Sequence, residues 1–478
     1  MTASAPPEAI PVFWHLCHAA RGGDTQMSPS RSHFWEAFRM YENLVRGSLY
    51  QEDDTRPEAI EFHRGSPQDF LTRYQQRATL AAQAGYRGIR EFGPRLVNRI
   101  ADARTLRLAW DYLARNGGTA PGPNGHRYAD YSSAEAWDLC RCLGKALRDG
   151  KYQPGPERIL DIPKQSGQGT RPLVLTNVED RVVQRAVVEI LQPLMDPQFG
   201  RYCFGFRPRK SHLNALAHAK SIAFSQHRLV WTVADVKDAF LNVPVSQLLD
   251  VVRMIFRNNE LVALLARILP SRRLTGIRQG GPLSPLMLNI YLHHFLDEPW
   301  RKRFPELPTI RVADDILLLS RNVEEAEMAD AEIRRLLLPA GLRFKGTAKE
   351  TVHDLDGGDD ACWLGFRIRR ASRGLRIELT EKAWRKLDSQ LGLAHTKHDA
   401  PLRADRTLRA WLDQRGPCYR PSDSPKVCQR MIAMARAYAF EEVPSPTELD
   451  KRWQLAHEKW QELRRSIRPQ SRAASAAT

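Results

Sequence analysis

The sequence is poor in the signals that mark secreted, metal-stapled or membrane-spanning chains. Its seven cysteines are an odd number and never form a Cys-x-x-Cys pair, so neither a disulfide framework nor a structural zinc site is expected. Cys140 and Cys142 read as a coincidence on a helix, not as a ligand pair. No apolar run reaches the roughly 18 residues that a membrane helix needs, and the Ala/Pro-rich start lacks the basic stretch of a secretory signal. A reducing cytoplasm is the expected location, with no membrane partner. Acid is the scarcer charge: 72 Lys and Arg against 55 Asp and Glu leave a net +17. Such an excess attracts phosphate backbones whatever their sequence. No internal repeat is evident, and the length suggests about two to four domains.

Three aspartates on two separated segments stand out. Leu229 to Ala234 reads as a buried strand ending at Asp235. Ile310-Arg311-Val312-Ala313 and Ile316-Leu317-Leu318-Leu319 read as two short strands joined by a turn at Asp314-Asp315. Taken alone, that pair is a polar hairpin turn. Acid in so apolar a setting is costly unless something positive neutralises it. With Asp235 beside the turn, three carboxylates could hold Mg²⁺ together with substrate phosphates.

The motifs around these residues resemble those of group II intron-type reverse transcriptases. Ile162-Pro163-Lys164, Arg171-Pro172-Leu173 and Asp180-Arg181-Val182-Val183-Gln184 are similar to that family's fingers signature. Phe204-Gly205-Phe206-Arg207-Pro208 with Ser211 follows in the family's order. Asp235-Val236-Lys237-Asp238-Ala239-Phe240 resembles the first catalytic motif. Arg278-Gln279-Gly280-Gly281-Pro282-Leu283-Ser284-Pro285 with Asn289 resembles the second, and Val312-Ala313-Asp314-Asp315 the YADD box. Gly341-Leu342 to Lys349 and Trp363-Leu364-Gly365-Phe366 resemble the next motif and the primer grip. The likeness spans about 116 to 370.

The resemblance implies an RNA-directed DNA polymerase with an RNA template, a nucleic-acid primer and dNTPs as partners. Asp235, Asp314 and Asp315 would be catalytic. With Val236 they would hold two Mg²⁺ ions, for which Mn²⁺ could substitute. Lys164, Arg171, Asp238, Ala239, Phe240, Gln279 and Lys349 would address the dNTP, with Lys349 a proton donor to pyrophosphate. Phe240, five residues after Asp235, would exclude the ribose 2′-hydroxyl by bulk. The two glycines after Gln279 would let the backbone approach the nascent base pair. Departures from the family pattern are Gly169 for a second lysine, Gly346-Thr347-Ala348-Lys349 for Asn-x-x-Lys, and Val312 for the usual aromatic.

The expected fold is α+β, a right-hand polymerase whose antiparallel palm sheet packs on helices. Residues 1–95 would be a helical extension, with Phe34, Phe38, Tyr41, Leu44 and Val45 on one helical face. Residues 96–230 would hold fingers with the first palm elements, 231–375 the palm, 376–467 a helical thumb, and 468–478 a disordered tail. Asn116 to Gly125 is too rich in Gly and Pro for a regular element. Ser284 to Phe295 should be a helix with one apolar side on the sheet. Thr380 should cap a helix bearing Trp384, Leu387 and Leu391. In the last helix Leu449, Trp453, Ala456 and Trp460 suit a core, and Lys451, Arg452 and Arg464 a nucleic-acid surface. No nuclease segment of the HNH type follows, so a free-standing enzyme with a role in antiphage defence, paired with a non-coding RNA, is expected. The alternative is a group II intron maturase, an RNA-binding splicing protein. The residues leave the oligomeric state open.

Overall fold

The computed structural model describes residues 66–467, apart from 119, 164–168, 272–273, 373 and 397–398. The helical face expected at Phe34 to Val45, Lys164 with the turn after it, and the tail 468–478 lie outside the described residues.

Among the described residues, eleven strands fall into four antiparallel groups. β1 (Arg158–Pro163) and β2 (Thr170–Leu175) form a hairpin with Ile162 opposite Arg171. β3 (Val230–Asp235) is central in a four-stranded sheet of order β6-β7-β3-β8. β4 (Pro270–Ser271) and β5 (Leu274–Ile277) make a small ladder. β6 (Thr309–Val312), β7 (Asp315–Ser320) and β8 (Val352–Asp354) complete the central sheet. β9 (Asp360–Trp363), β10 (Phe366–Ala371) and β11 (Gly374–Leu379) form a three-stranded sheet.

The central sheet is buried on both faces, which explains its unbroken apolar runs. Along β7, Ile316 and Leu318 join one hydrophobic cluster while Leu317 and Leu319 join another. In β3, Ala234 belongs to the first cluster and Trp231 to the second. The first cluster is built from helices between Pro67–Gln83 and Val323–Leu337. The second gathers the three-stranded sheet, the helix His212–Ser225 and the helices Glu381–His395, Ala400–Asp413, Ser424–Ala437 and Pro446–Ser466.

Local signals work as their chemistry suggests. Thr380 Oγ1 accepts from the Ala383 N–H at 3.1 Å and starts the helix carrying buried Trp384, Leu387 and Leu391. Trp453 and Trp460 are core residues. The segment from Ser284 needs correction: its α-helix ends at Leu292, then passes through a π-turn, His293–Asp297, and it is buried all round from Leu286 to Leu292. A helix apolar on every side belongs inside, and Ser284-Pro285-Leu286-Met287-Leu288-Asn289-Ile290-Tyr291-Leu292 has almost no polar face. Among the described residues no helix is long and apolar enough to cross a membrane.

Candidate active site

Strand pairing assembles the carboxylates. β3 and β7 run antiparallel with Asp235 directly opposite Asp315. Directly opposed side chains have Cβ atoms roughly 5 Å apart, close enough for like charges to repel. Asp314 sits in the adjoining turn, which differs by one residue from the sequence expectation. Val312 pairs with Asp315, so Ala313 and Asp314 form the turn and Asp315 opens β7. Ala313 takes φ 61°, the left-handed conformation that tight two-residue hairpins require. Burial, then Asp235 and Asp314, push the Asp315 carboxyl up to about 7. Asp314 is raised by burial and by Asp235.

One cation already touches the group. The chain at 343–345 pairs with 235–237, through a Val236–Phe344 bridge and a 2.9 Å bond from the Lys345 N–H to the Asp235 carbonyl. This places Lys345 Nζ 2.6 Å from Asp235 Oδ1. Lys349, which the family resemblance singles out, makes no such contact. Gly346 (φ 70°) turns the chain away, leaving Lys349 exposed on the short helix Ala348–Thr351 with no ion pair to the three aspartates.

Among the described residues no three His, Cys, Asp or Glu side chains stand ready-grouped for a metal ion. Mutually repelling carboxylates suit that state, and Mg²⁺ needs only one or two of them besides phosphates and water. The Val236 N–H donates to the Asp314 carbonyl at 3.1 Å, while the Val236 carbonyl accepts no backbone hydrogen bond among the described residues. That free carbonyl is a further hard oxygen donor, so the residues present fit a divalent cation.

Beneath the turn lies a buried polar frame. Arg311, enclosed in β6, donates to Asp297 Oδ1 at 2.8 Å and Oδ2 at 2.6 Å, to Asn289 Oδ1 at 2.8 Å and to the Ala313 carbonyl at 3.0 Å. Asn289 Nδ2 donates to the Gly205 carbonyl at 2.7 Å. A Cβ at Gly205 would overlap the backbone of Ala313, so this position must be glycine for the turn to dock. Gly205 of the Phe204–Pro208 motif thus supports the turn that carries Asp314. Sequence reasoning missed Arg311 and Asp297, although a lone arginine in so apolar a strand is a signal.

The candidate nucleotide pocket has a similar backing. Asp238 (φ 44°) precedes the one-turn helix Ala239–Asn242, whose first N–H groups have no partners within the helix. Ala239 is buried. Phe240 is half-buried, edge-on to Phe206 with centroids 6.2 Å apart. Phe206, Asp238, Ala313 and Leu364 are four of eight non-glycine residues with positive φ among those described, and backbone strain of this kind gathers at functional sites. Gln279 has a buried Oε1 without a partner. The glycines beside it pack on protein: a Cβ at Gly280 would strike Leu173, and one at Gly281 would meet Gln184 Oε1. Arg278 is buried and salt-bridged to Glu157. Arg171 is exposed on β2.

Two further expectations change. Trp363 and Phe366 are core side chains, because they lie on the inward face of the sheet. Only the turn they flank, Leu364 (φ 52°) and Gly365 (φ 81°), remains to meet a ligand. On the last helix, Arg452 is held by Asp413 at 2.5 and 2.7 Å, which largely cancels its charge. Arg464 bonds to Gln461 at 3.3 Å, and Lys451 is exposed.

Residues 162–368 match the family model described as reverse transcriptase (RNA-dependent DNA polymerase). Protein YkfC of Escherichia coli strain K12 is 30% identical over 307 residues, which cover 55% of this chain and 79% of that protein. The chain belongs to the group II intron-like reverse transcriptase family. The group II intron-encoded protein LtrA of Lactococcus lactis is 33% identical over 159 residues, 31% of this chain and 26% of LtrA. This reverse transcriptase homologue therefore spans about a quarter of the length of LtrA. A chain from a partial Cas6-RT-Cas1–Cas2 complex is 20% identical, covers 51% of this chain and 41% of that chain, and superposes with a TM-score of 0.31.

Proposed function

We propose that this chain extends a primer with dNTPs on an RNA template by two-metal phosphoryl transfer. The observation that carries the proposal is Asp235 opposite Asp315 with Asp314 in the adjoining turn, in a chain of this family. Two Mg²⁺ ions, when bound, would supply the charge that activates the 3′-hydroxyl and holds the triphosphate. Asp235, Asp314, Asp315 and the Val236 carbonyl would hold them. The protein's remaining work is positioning and charge stabilisation. Lys345 keeps Asp235 neutralised in the free protein and stays beside the phosphates once a metal displaces it. Arg171 and Lys164 would address the triphosphate, as the family resemblance implies. On this reading the β1–β2 hairpin is the fingers, the central sheet the palm and the C-terminal helices the thumb.

Primer extension by the purified chain on an RNA template, with Mg²⁺ or Mn²⁺ and each dNTP omitted in turn, tests the reading. Template-dependent incorporation is expected. Its absence, in protein that still promotes splicing of an intron RNA, would establish the maturase alternative, which the intron-encoded relatives favour. The defence role and its non-coding RNA belong to the same proposal. They are tested by phage plating on cells making wild-type or D314A/D315A protein, and by sequencing the RNA that co-purifies.

Phe240 should govern sugar choice. Phe240→Ala opens space beside the half-buried ring, so ribonucleotide use relative to dNTP should rise by roughly tenfold or more. An unchanged ratio of kcat/KM values would make Phe240 a packing residue only.

A further inference from the structure

Arginines buried in a protein are ordinarily paired, because an enclosed charge without a counterion is strongly unfavourable. Among the described residues five arginines are buried: Arg207, Arg228, Arg278, Arg311 and Arg415. Four have a carboxylate, respectively Asp196, Glu325, Glu157 and Asp297. Arg415 is 6 % exposed and has neither an ion pair nor a side-chain hydrogen bond among the described residues, and its Nε is fully enclosed.

Its surroundings supply no anion. The guanidinium lies 5.2 Å from the centroid of Phe366 and 5.5 Å from that of Trp411. The His212 ring stacks on the same Phe366 at 6.1 Å and is itself held neutral by burial. The Cys418 thiol is pushed up to about 12 by burial, so it is uncharged as well. Ring contacts and the end of the helix Ala400–Asp413 offset part of the burial, but they satisfy none of the guanidinium's donors.

The position is informative. A Cβ at Gly365 would lie 3.8 Å from Arg415 Nη1, so the guanidinium abuts the Leu364–Gly365 turn. Thr380 Oγ1 donates to the Gly365 carbonyl at 3.1 Å, and Lys382, two residues on, is near enough to act on Asp315. The unpaired cation therefore lies against the Leu364–Gly365 turn, which Thr380 ties to the start of the helix that carries Lys382.

We infer that Arg415 is an anion site that receives a backbone phosphodiester of the bound primer–template, seated against the Leu364–Gly365 turn. The inference rests on the polymerase reading for the identity of the ligand. The planar fork presents two parallel donors to phosphate oxygens, and two aromatic rings pre-set its orientation. The nucleic acid thus completes a pair that the free protein leaves half-built.

The test uses the full chain with Arg415→Gln and Arg415→Lys. Primer–template affinity is measured across a salt series, together with dNTP KM and the melting temperature without nucleic acid. R415Q should bind about tenfold more weakly and lose about 0.7–0.9 from its log–log salt slope, the signature of one phosphate contact. R415K should keep the slope and recover part of the affinity. The melting temperature of R415Q should not fall, and dNTP KM should stay the same. An unchanged slope in R415Q overturns the inference. So does a variant that melts lower or fails to fold, since the guanidinium would then be satisfied within the free protein. A raised dNTP KM with normal duplex affinity would move the site to the triphosphate and overturn it too. Wild-type protein that binds no primer–template would sink the polymerase reading instead. In that case a short single-stranded DNA and inorganic phosphate serve as probes: a melting shift in wild type absent from R415Q supports an anion site, and no shift in either removes it.

Discussion

Replacing Asp314 and Asp315 together by Ala is expected to lower dNTP incorporation by at least roughly 10³-fold while leaving a folded protein. Both side chains lie where β3 meets the β6–β7 turn, and nothing in the core depends on them. A single Asp315→Asn should do more than inactivate. In the free protein this carboxyl is half-buried opposite Asp235 and next to Asp314, and desolvation and repulsion together push it up to about 7. Removing its charge should therefore stabilise the metal-free protein, with a rise in melting temperature of roughly 1–3 °C. Adding Mg²⁺ should narrow that gap, because the cation relieves the repulsion only where the charges are intact. Calorimetry with and without Mg²⁺, beside primer extension, reads both effects. A double mutant that still polymerises would remove the three aspartates from the chemistry. An inactive but destabilised D315N would mean that they act as structure.

The second large effect concerns Arg311. Asp297→Ala strands a fully enclosed guanidinium, and breaking a buried pair in this way is worth about 3–5 kcal/mol. Denaturant unfolding should show most of that loss. Replacing both partners by apolar residues of similar size, Arg311→Met with Asp297→Leu, should recover much of the stability, since two apolar groups need no desolvation. Activity should stay low in the double variant. The bond from Arg311 to the Ala313 carbonyl holds the catalytic turn, and methionine cannot make it. Equal recovery of stability and activity would show that the frame only fills the core.

Much of this protein was legible from residue order alone. The apolar runs ending in acid at Asp235 and Asp315, the cap at Thr380 and the Trp stripe of the last helix are local features. Their physics is settled within a few residues by strand alternation, side-chain capping and helical spacing. The chemical class was legible through the resemblance of the motifs to one family, since the carboxylates and the Gln279–Gly281 segment are short, contiguous patterns. Contacts between distant segments were not. That Lys345 meets Asp235 depends on the pairing of 343–345 with 235–237, which no local pattern foretells. The turn falls at Ala313-Asp314, one residue before its expected place, and packs there against Gly205, more than 100 positions earlier. Trp363 and Phe366 lost their ligand role to the direction in which their sheet faces the core. Arg452 is paired with Asp413, and Arg415 has no partner among the described residues, through the packing of helices far apart in the chain. Pattern therefore determines the elements, and the resemblance of the motifs points to the kind of reaction. Charge neutralisation, burial and the register between remote strands exist only once the chain has folded, because each depends on which groups tertiary packing brings within a few ångströms.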